Sequence, residues 1–423
     1  MSWRSVCAVS FIFFTAQWAR ADNDIQGQPA PESADELISS FDTGLEGETA
    51  VETAFDEILQ KSQVKLKLRN YYLNRSRPEN TDPIAWAQGG SLEYKVDKVG
   101  GIFGLNAEYF GSFKLYGPDE HDGTLLLEPS QNNIDTFGIV NPKATLAGNV
   151  LSLYRQRIDL PFVNSQDNRM IPNTFEAYLL GMPKAENETF QYVAGYIAEM
   201  KKRNEETFQS MSEAAGVSDK ERGTIMGGAR YFITPELSLA GVNFYTEDIF
   251  NIFYTEAVHK IKIDEKMANT LSAQYADQRS TGQDLLLDDS FSTNFWGVQN
   301  AFSYNYLTAK AAFTSDDTGA DVRSPYGSYP GYNSSIVEDF NRAGEKSWQV
   351  GLAYNFARLG LKGLGLTTAY IHGFDAIDEA TKADLADKDE MDVTLDYKLE
   401  EGVFKGFWVR LRGAFIDEEG RGT

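Results

Sequence analysis

From Val64 onward, apolar and polar positions alternate with a period of two, in segments of about ten residues. Val64-Lys65-Leu66-Lys67-Leu68-Arg69 sets apolar side chains against basic ones. Phe190-Gln191-Tyr192-Val193-Ala194-Gly195-Tyr196 gathers aromatics on one face, and Leu307 to Phe313 sets Lys310 opposite Leu307, Ala309 and Phe313. Val393 to Leu399 and Trp408 to Gly413 alternate in the same way. Short turns fall around Asp97–Gly101, Gly148, Glu186–Glu188, Thr234–Glu236, Asp264–Lys266, Asn305, Leu361–Gly363 and Glu401–Gly406. Long polar loops fall between them, around Gly117–Asn133, Asn204–Arg222, Thr281–Ser290, Asp316–Glu345 and Ala376–Asp387. This alternation predicts an all-β fold, a transmembrane antiparallel β-barrel with one turn side and one loop side. The pattern yields 17 strands over residues 62–423. An odd count leaves an unpaired edge, so 18 strands are expected, with the last one missing from this chain.

The N-terminal residues break the alternation. Residues 1–21 read as a secretory signal: Arg4, an apolar run from Val6 to Trp18, and Ala19-Arg20-Ala21 as the cleavage site. Residues 22–60 hold eleven Asp or Glu and no Lys or Arg. Residues 22–61 are therefore expected to form a largely disordered acidic periplasmic tail. The single cysteine, Cys7, lies inside the signal, so disulfides do not stabilise the exported chain. A barrel, with its backbone groups paired between strands, supplies stability without them.

Composition sharpens this picture. The 423 residues carry a formal charge of −23, which argues against a nucleic-acid partner. Mean hydropathy is −0.39, a value that alternation explains, because half of each strand is polar by design. Losing Arg4 and Arg20 with the signal makes the charge −25, of which the tail holds eleven and residues 61–423 hold fourteen.

Tyr154 to Phe175 reads YRQRIDLPFVNSQDNRMIPNTF. Arg155, Gln156, Pro161, Asp167, Arg169, Met170, Pro172 and Phe175 resemble the central segment of the outer-membrane porin D (OprD) family. Leu66 to Asn74, followed by Trp86-Ala87-Gln88-Gly89, resembles that family's first two strands. The resemblance runs from about residue 60 to the end. It implies a bacterial outer-membrane barrel of 18 strands and a monomeric pore, with lipid and lipopolysaccharide as surroundings. It also implies an inward-folded loop after the fifth strand, a lumenal track of Arg and Lys, and passive diffusion of small solutes, most often carboxylates such as amino acids or aromatic acids. The acidic tail is longer than the family pattern, and the terminal strand with its closing aromatic is absent.

Face by face, the residues give a compatible reading. With Leu66 and Leu68 toward lipid, Lys67 and Arg69 point into the lumen, and the same parity places Arg230, Lys262, Lys310, Arg410 and Arg412 inward. A charge facing lipid costs about 2–4 kcal/mol near the midplane, which enforces inward placement. Arg155 and Arg157 end a strand beside the expected constricting loop. Asp167 and Arg169 lie within that loop, either as an ion pair that shapes it or as part of the eyelet, and Asn164 supplies hydrogen bonds there. The expected substrate pathway is thus Lys67, Arg69, Arg155, Arg157, Asn164, Asp167, Arg169, Arg230, Lys262, Lys310, Arg410 and Arg412.

Catalysis lacks a constellation. His121, His259 and His372 are scattered, and no nucleophile elbow is present. No cofactor is expected, and no His or Cys spacing suggests a transition-metal site; the acids of Asp284–Asp289 read as solvated charge. Two alternatives remain at this point. One is a porin for neutral or amino-sugar oligosaccharides, with the tyrosines of 316–345 stacking on sugar rings. The other is a barrel whose loops and tail act as a binding module.

Overall fold

The computed structural model of the chain describes residues 4–13, 57–76, 81–183 and 189–418. Its main sheet has 19 strands. One is the two-residue strand Gln209–Ser210 and one is the segment Arg4–Phe13, which leaves 17 long strands from Ser62–Arg75 to Trp408–Glu418. Each long strand pairs antiparallel with the next along the chain. The alternation in the sequence and the strand count it yields are both found here.

Arg4–Phe13 lies antiparallel against both end strands, with Val9 opposite Tyr72 on one side and Leu411 on the other. The apolar centre of the segment read as an export signal thus occupies the place where the pattern leaves room for an eighteenth strand. Two exposed strand edges leave backbone donors and acceptors unpaired, and an apolar stretch of strand length satisfies both. The cleavage site, the acidic tail as far as Asp56, the turn at Glu186–Glu188 and the terminal Glu419–Thr423 lie outside the described residues.

Among the described residues the turns and loops fall where the sequence puts them, with two additions on the loop side: the connection that leaves Arg75 and returns at Ile84, and the short turn Glu247–Ile249 between Leu237–Thr246 and Phe250–Lys262. In the WAQG segment, strand contact requires a bare backbone. A Cβ on Gly89 would fall 2.0 Å from the Gly111 carbonyl oxygen.

Leu66 and Leu68 are exposed on the outer face, as a lipid-facing surface requires. The inner face changes character along each strand. On Phe250–Lys262, the inward Phe250, Ile252 and Tyr254 at the loop end are buried, whereas the inward Lys260 and Lys262 at the turn end are exposed. The loop end of the barrel is therefore filled, and the turn end is open. Two loops do the filling. Loop 157–173 sends Phe162 into a buried cluster with Tyr254, Phe295 and Tyr329, and sends Met170 and Ile171 into a second with Tyr71, Leu126 and Leu127. Loop 317–345 contributes Tyr326 and Tyr329 to the first cluster, with Ile336 and Val337 packed against the second.

Candidate functional site

The plug is fixed to the wall by a network of alternating charges. From Ser62–Arg75, Arg69 reaches Asp167 at 2.7 Å and also donates to the carbonyls of Arg169 and Met170. Arg157, just past the strand Asn149–Gln156, joins Asp167 to Glu108, at 3.1 Å to each. Glu108, on Phe103–Tyr116, also accepts from Lys67 at 3.1 Å and from Ser91 Oγ at 2.6 Å. Burial alone would raise the Asp167 carboxyl, but the guanidiniums of Arg69 and Arg157 offset this and hold it well below the usual carboxylate range. Lys67, Arg69 and Arg157 are thus lumenal cations paired with two carboxylates, Glu108 and Asp167, so the network keeps one positive charge over.

A second basic group lies above this network. Arg75, Arg169 and Arg412 border a cavity of about 60 Å³, together with Tyr71, Asn168 and Ile336. That volume holds a few waters or one carboxylate group. Arg169 donates to the Thr124 carbonyl at 3.0 Å and to the Asn168 carbonyl at 2.9 Å, while Arg203 donates to Asn168 Oδ1. Among the described residues, Arg412 Nε is buried with no hydrogen-bond partner. Burial disfavours the charged form of Arg169, and Arg412 adds to this by like-charge repulsion. Burial acts likewise on Arg203, with Arg169 and Arg75 repelling it and Tyr71 and Asp339 countering. Guanidiniums keep their proton even so. Their charges therefore stay beside a cavity that, among the described residues, no carboxylate borders, with Asp392 acting on Arg412 from nearby.

The remaining pathway residues divide. Arg230 and Lys262 stand exposed on the inner face toward the turn end. Lys310 donates to the Tyr332 carbonyl at 3.2 Å, tying loop 317–345 to the wall. Arg410 forks onto Asp396 at 2.7 and 3.1 Å, with its guanidinium 4.4 Å from the Trp408 ring centre. Asn164 bonds to Ser328 in the opposite loop. Arg155 departs from the expected pathway. Its ladder partner is Glu176, in phase with the exposed Leu151, Tyr178 and Leu180. It therefore lies on the outer face, 3.7 Å from Glu176 and with its guanidinium 4.2 Å from the Phe208 ring centre. Glu199, inward by simple alternation, is turned to this same outer face by a register shift between Ile197 and Glu199.

Arg75 and Arg203 are functional candidates that sequence reasoning missed. Arg75 continues the odd-numbered inward series of Lys65, Lys67 and Arg69, so its signal was available. Arg203 lies beyond a strand end, where no period fixes its direction.

The sequence pattern of the outer membrane porin, OprD family, matches residues 56–421. The chain belongs to the OprD family. It is an outer-membrane porin, a channel for small solutes. It is 26% identical to Porin D of Pseudomonas aeruginosa over 344 residues, covering 75% of this chain and 74% of that protein. It is 23% identical to the porin-like protein GalP of Pseudomonas putida over 398 residues, covering 89% and 92% of the two chains. Among solved structures, a BenF-like porin from Pseudomonas fluorescens superposes with a TM-score of 0.74 at 21% identity, over 85% of this chain and 99% of that one. The Pseudomonas aeruginosa porin OpdK, crystallised with vanillate, gives 0.73 at 22% identity, over 85% and 98%. These structural likenesses concern the fold.

Proposed function

We propose that this porin passes small carboxylates by facilitated diffusion, and that the cavity beside Arg75, Arg169 and Arg412 is where their carboxylate is held. One observation carries this reading. The cavity gathers several guanidiniums, and among the described residues Arg412 Nε has no hydrogen-bond partner. A planar guanidinium offers a carboxylate two parallel donors, and the solute's negative charge is what the cavity lacks. Lys65, Lys95 and Lys143 lie on the adjoining wall toward the turn end, and Lys65 and Lys143 both feel neighbouring lysines. Glu93 and Asp97 stand among them, so the exit path carries mixed charge, on which binding stays shallow and the anion moves on. Vanillate, the solute found with OpdK, is itself an aromatic carboxylate. The sugar-stacking reading has less support, because Tyr326 and Tyr329 are buried in the plug, and the half-buried Tyr332 is held to Glu256 through its hydroxyl.

Bilayer recordings of the purified protein test the proposal. Benzoate or a small amino acid should block the current, and Arg412→Ala or Arg169→Ala should weaken the block about tenfold, the size expected for losing one charge-assisted hydrogen bond. Block by neutral oligosaccharides, with none by carboxylates, would overturn it.

A further inference from the structure

Loop 157–173 meets loop 317–345 in mid-lumen through one side chain that imitates a strand neighbour. Asn164 Oδ1 accepts from Ser328 N at 3.0 Å and from Ser328 Oγ at 3.1 Å. Asn164 Nδ2 donates to the Ser328 carbonyl at 3.3 Å, and Asn164 N donates to the Tyr326 carbonyl at 3.2 Å. Both ends of the amide are used, as in a backbone ladder. Gly327 makes the approach possible, since a Cβ there would fall 2.7 Å from Asn164 Cγ.

Each loop is also tied to the barrel. Loop 157–173 is held through Asp167 by Arg69 and Arg157. Loop 317–345 is held by the strand Lys388–Lys398, where Glu390 accepts from the backbone N–H of Val337 and Glu338, and Asp392 from that of Ile336. Between these anchors, the Asn164–Ser328 contact and the burial of Phe162 against Tyr329 join the loops. The aromatic contact is non-directional and tolerates sliding. The amide contact is directional, so it fixes the position of one loop against the other.

We infer that Asn164 is a positioning residue that clasps the two loops into one plug, and that opening of this clasp is the elementary event behind fluctuations of the channel current. With the clasp closed, the two loops hold one relative position. With it open, the stretch of loop 317–345 around Ser328 loses its tie to loop 157–173, while the rest of the loop stays held by Glu390, Asp392 and Lys310 and by bonds such as Arg323 to Glu379 and Tyr332 to Glu256, and the gap between the loops samples several widths. Such collective loop motions fall on the order of microseconds to milliseconds, the slower part of which bilayer recording resolves. The inference needs only that the protein conducts and is independent of which solute it carries.

The test is single-channel recording in potassium chloride alone, with heat-modifiable migration on gels confirming a folded barrel. Asn164→Ala removes the clasp. Gly327→Ala leaves Asn164 in place and forces it away. Both variants should show about tenfold more frequent transitions between conductance levels, the size expected for losing one to two hydrogen bonds. A merely structural role would lower the amount of folded protein and leave the transitions of each open channel unchanged. Two folded variants as quiet as the native channel would overturn the inference. If one fails to insert, the other decides. If both fail, the double variant Asn164→Cys with Ser328→Cys decides: the oxidised channel should be quiet and the reduced one noisy, and identical recordings before and after reduction would overturn the inference.

Discussion

Arg69 Nη1 lies 2.7 Å from Asp167 Oδ1, across 98 residues of sequence. A wall strand and a lumenal loop are joined by this pair, and the join fixes where the loop carries its other charged residue, Arg169. Arg69, Arg157 and Lys67 all point into the lumen, but Asp167 and Glu108 engage all three and offset two of their three charges. Arg169 is two residues beyond Asp167, and the same anchoring delivers it to the cavity where, among the described residues, Arg412 has no hydrogen-bonding partner for Nε. The ion pair is therefore structural, and under the proposed function the residue that meets the anion is Arg169, two positions along the loop.

Asp167 gives a pH prediction with a definite sign. Its carboxyl is held below the range of an unfolded aspartate, near 4. A depressed group contributes stability in full above its unfolded value, and loses it as pH falls through the folded value. Conductance and current noise should therefore stay flat from about pH 8 down to about pH 5 as far as this residue is concerned. Asp167→Asn removes the charge at every pH and leaves Arg69 without its carboxylate. Breaking one partner of such a pair costs about 3–5 kcal/mol when fully buried, and less here, since Asp167 is 29% exposed. At pH 7 the variant should show a wider and noisier channel. A native-like recording would show that the loop is held without Asp167.

Much of this was legible from alternation. Strand parity, the turn side and the loop side follow from period two, because lipid on one face and water on the other punish any slip of register. Lys67, Arg69, Lys310 and Arg412 point inward for that reason. The pairing of Arg69 and Arg157 with Asp167 was not legible, because Asp167 reaches them only after a loop folds into the lumen; Glu108 sits on a wall strand, and its inward direction follows from the same parity. Arg155 was misread for a local reason. It ends a short strand, Asn149–Gln156, where one residue of phase exchanges lumen for outer surface, and Tyr154 beside it has φ of 66°. The tyrosines of 317–345 read as an exposed binding loop, since sequence alone does not tell an outward polar loop from one that turns in and is buried.

Arg155→Ala should leave ion selectivity and carboxylate block unchanged, because Arg155 shares the outer face with Glu176 and Tyr178. Its loss removes a stacking contact with Phe208, worth about 0.5–1 kcal/mol at an exposed site. Thermal unfolding should fall slightly, while reversal potentials match the native channel. A marked loss of block in this variant would place Arg155 in the pathway after all.

Phe162→Ala tests how the plug is anchored by packing. The ring is fully buried among Tyr254, Phe295 and Tyr329. Truncating such a side chain costs about 3–5 kcal/mol, and the cost falls on the loop, because the strand ladders do not depend on it. The barrel should keep its heat-modifiable migration, and protease cleavage should appear within residues 157–173. Conductance should rise. Unaltered protease resistance would mean that the ionic anchors suffice alone.

Arg410→Ala should turn the lumen toward cations. Arg410 covers Asp396 with two hydrogen bonds, and Trp408 Nε1 donates to the same carboxylate at 2.8 Å. Without the guanidinium, Trp408 still orients Asp396 but cannot neutralise it. The lumen then loses one positive charge and exposes one negative charge, and fixed charge in a pore acts directly on permeating ions. Under a potassium chloride gradient, the reversal potential should move in the cation-selective direction. Arg410→Lys should shift it less, since an ammonium keeps the charge but not the two-pronged fit. If Arg410→Ala leaves the reversal potential where it is, Asp396 and Arg410 lie off the ion path, and the conducting route runs closer to Arg230 and Lys262.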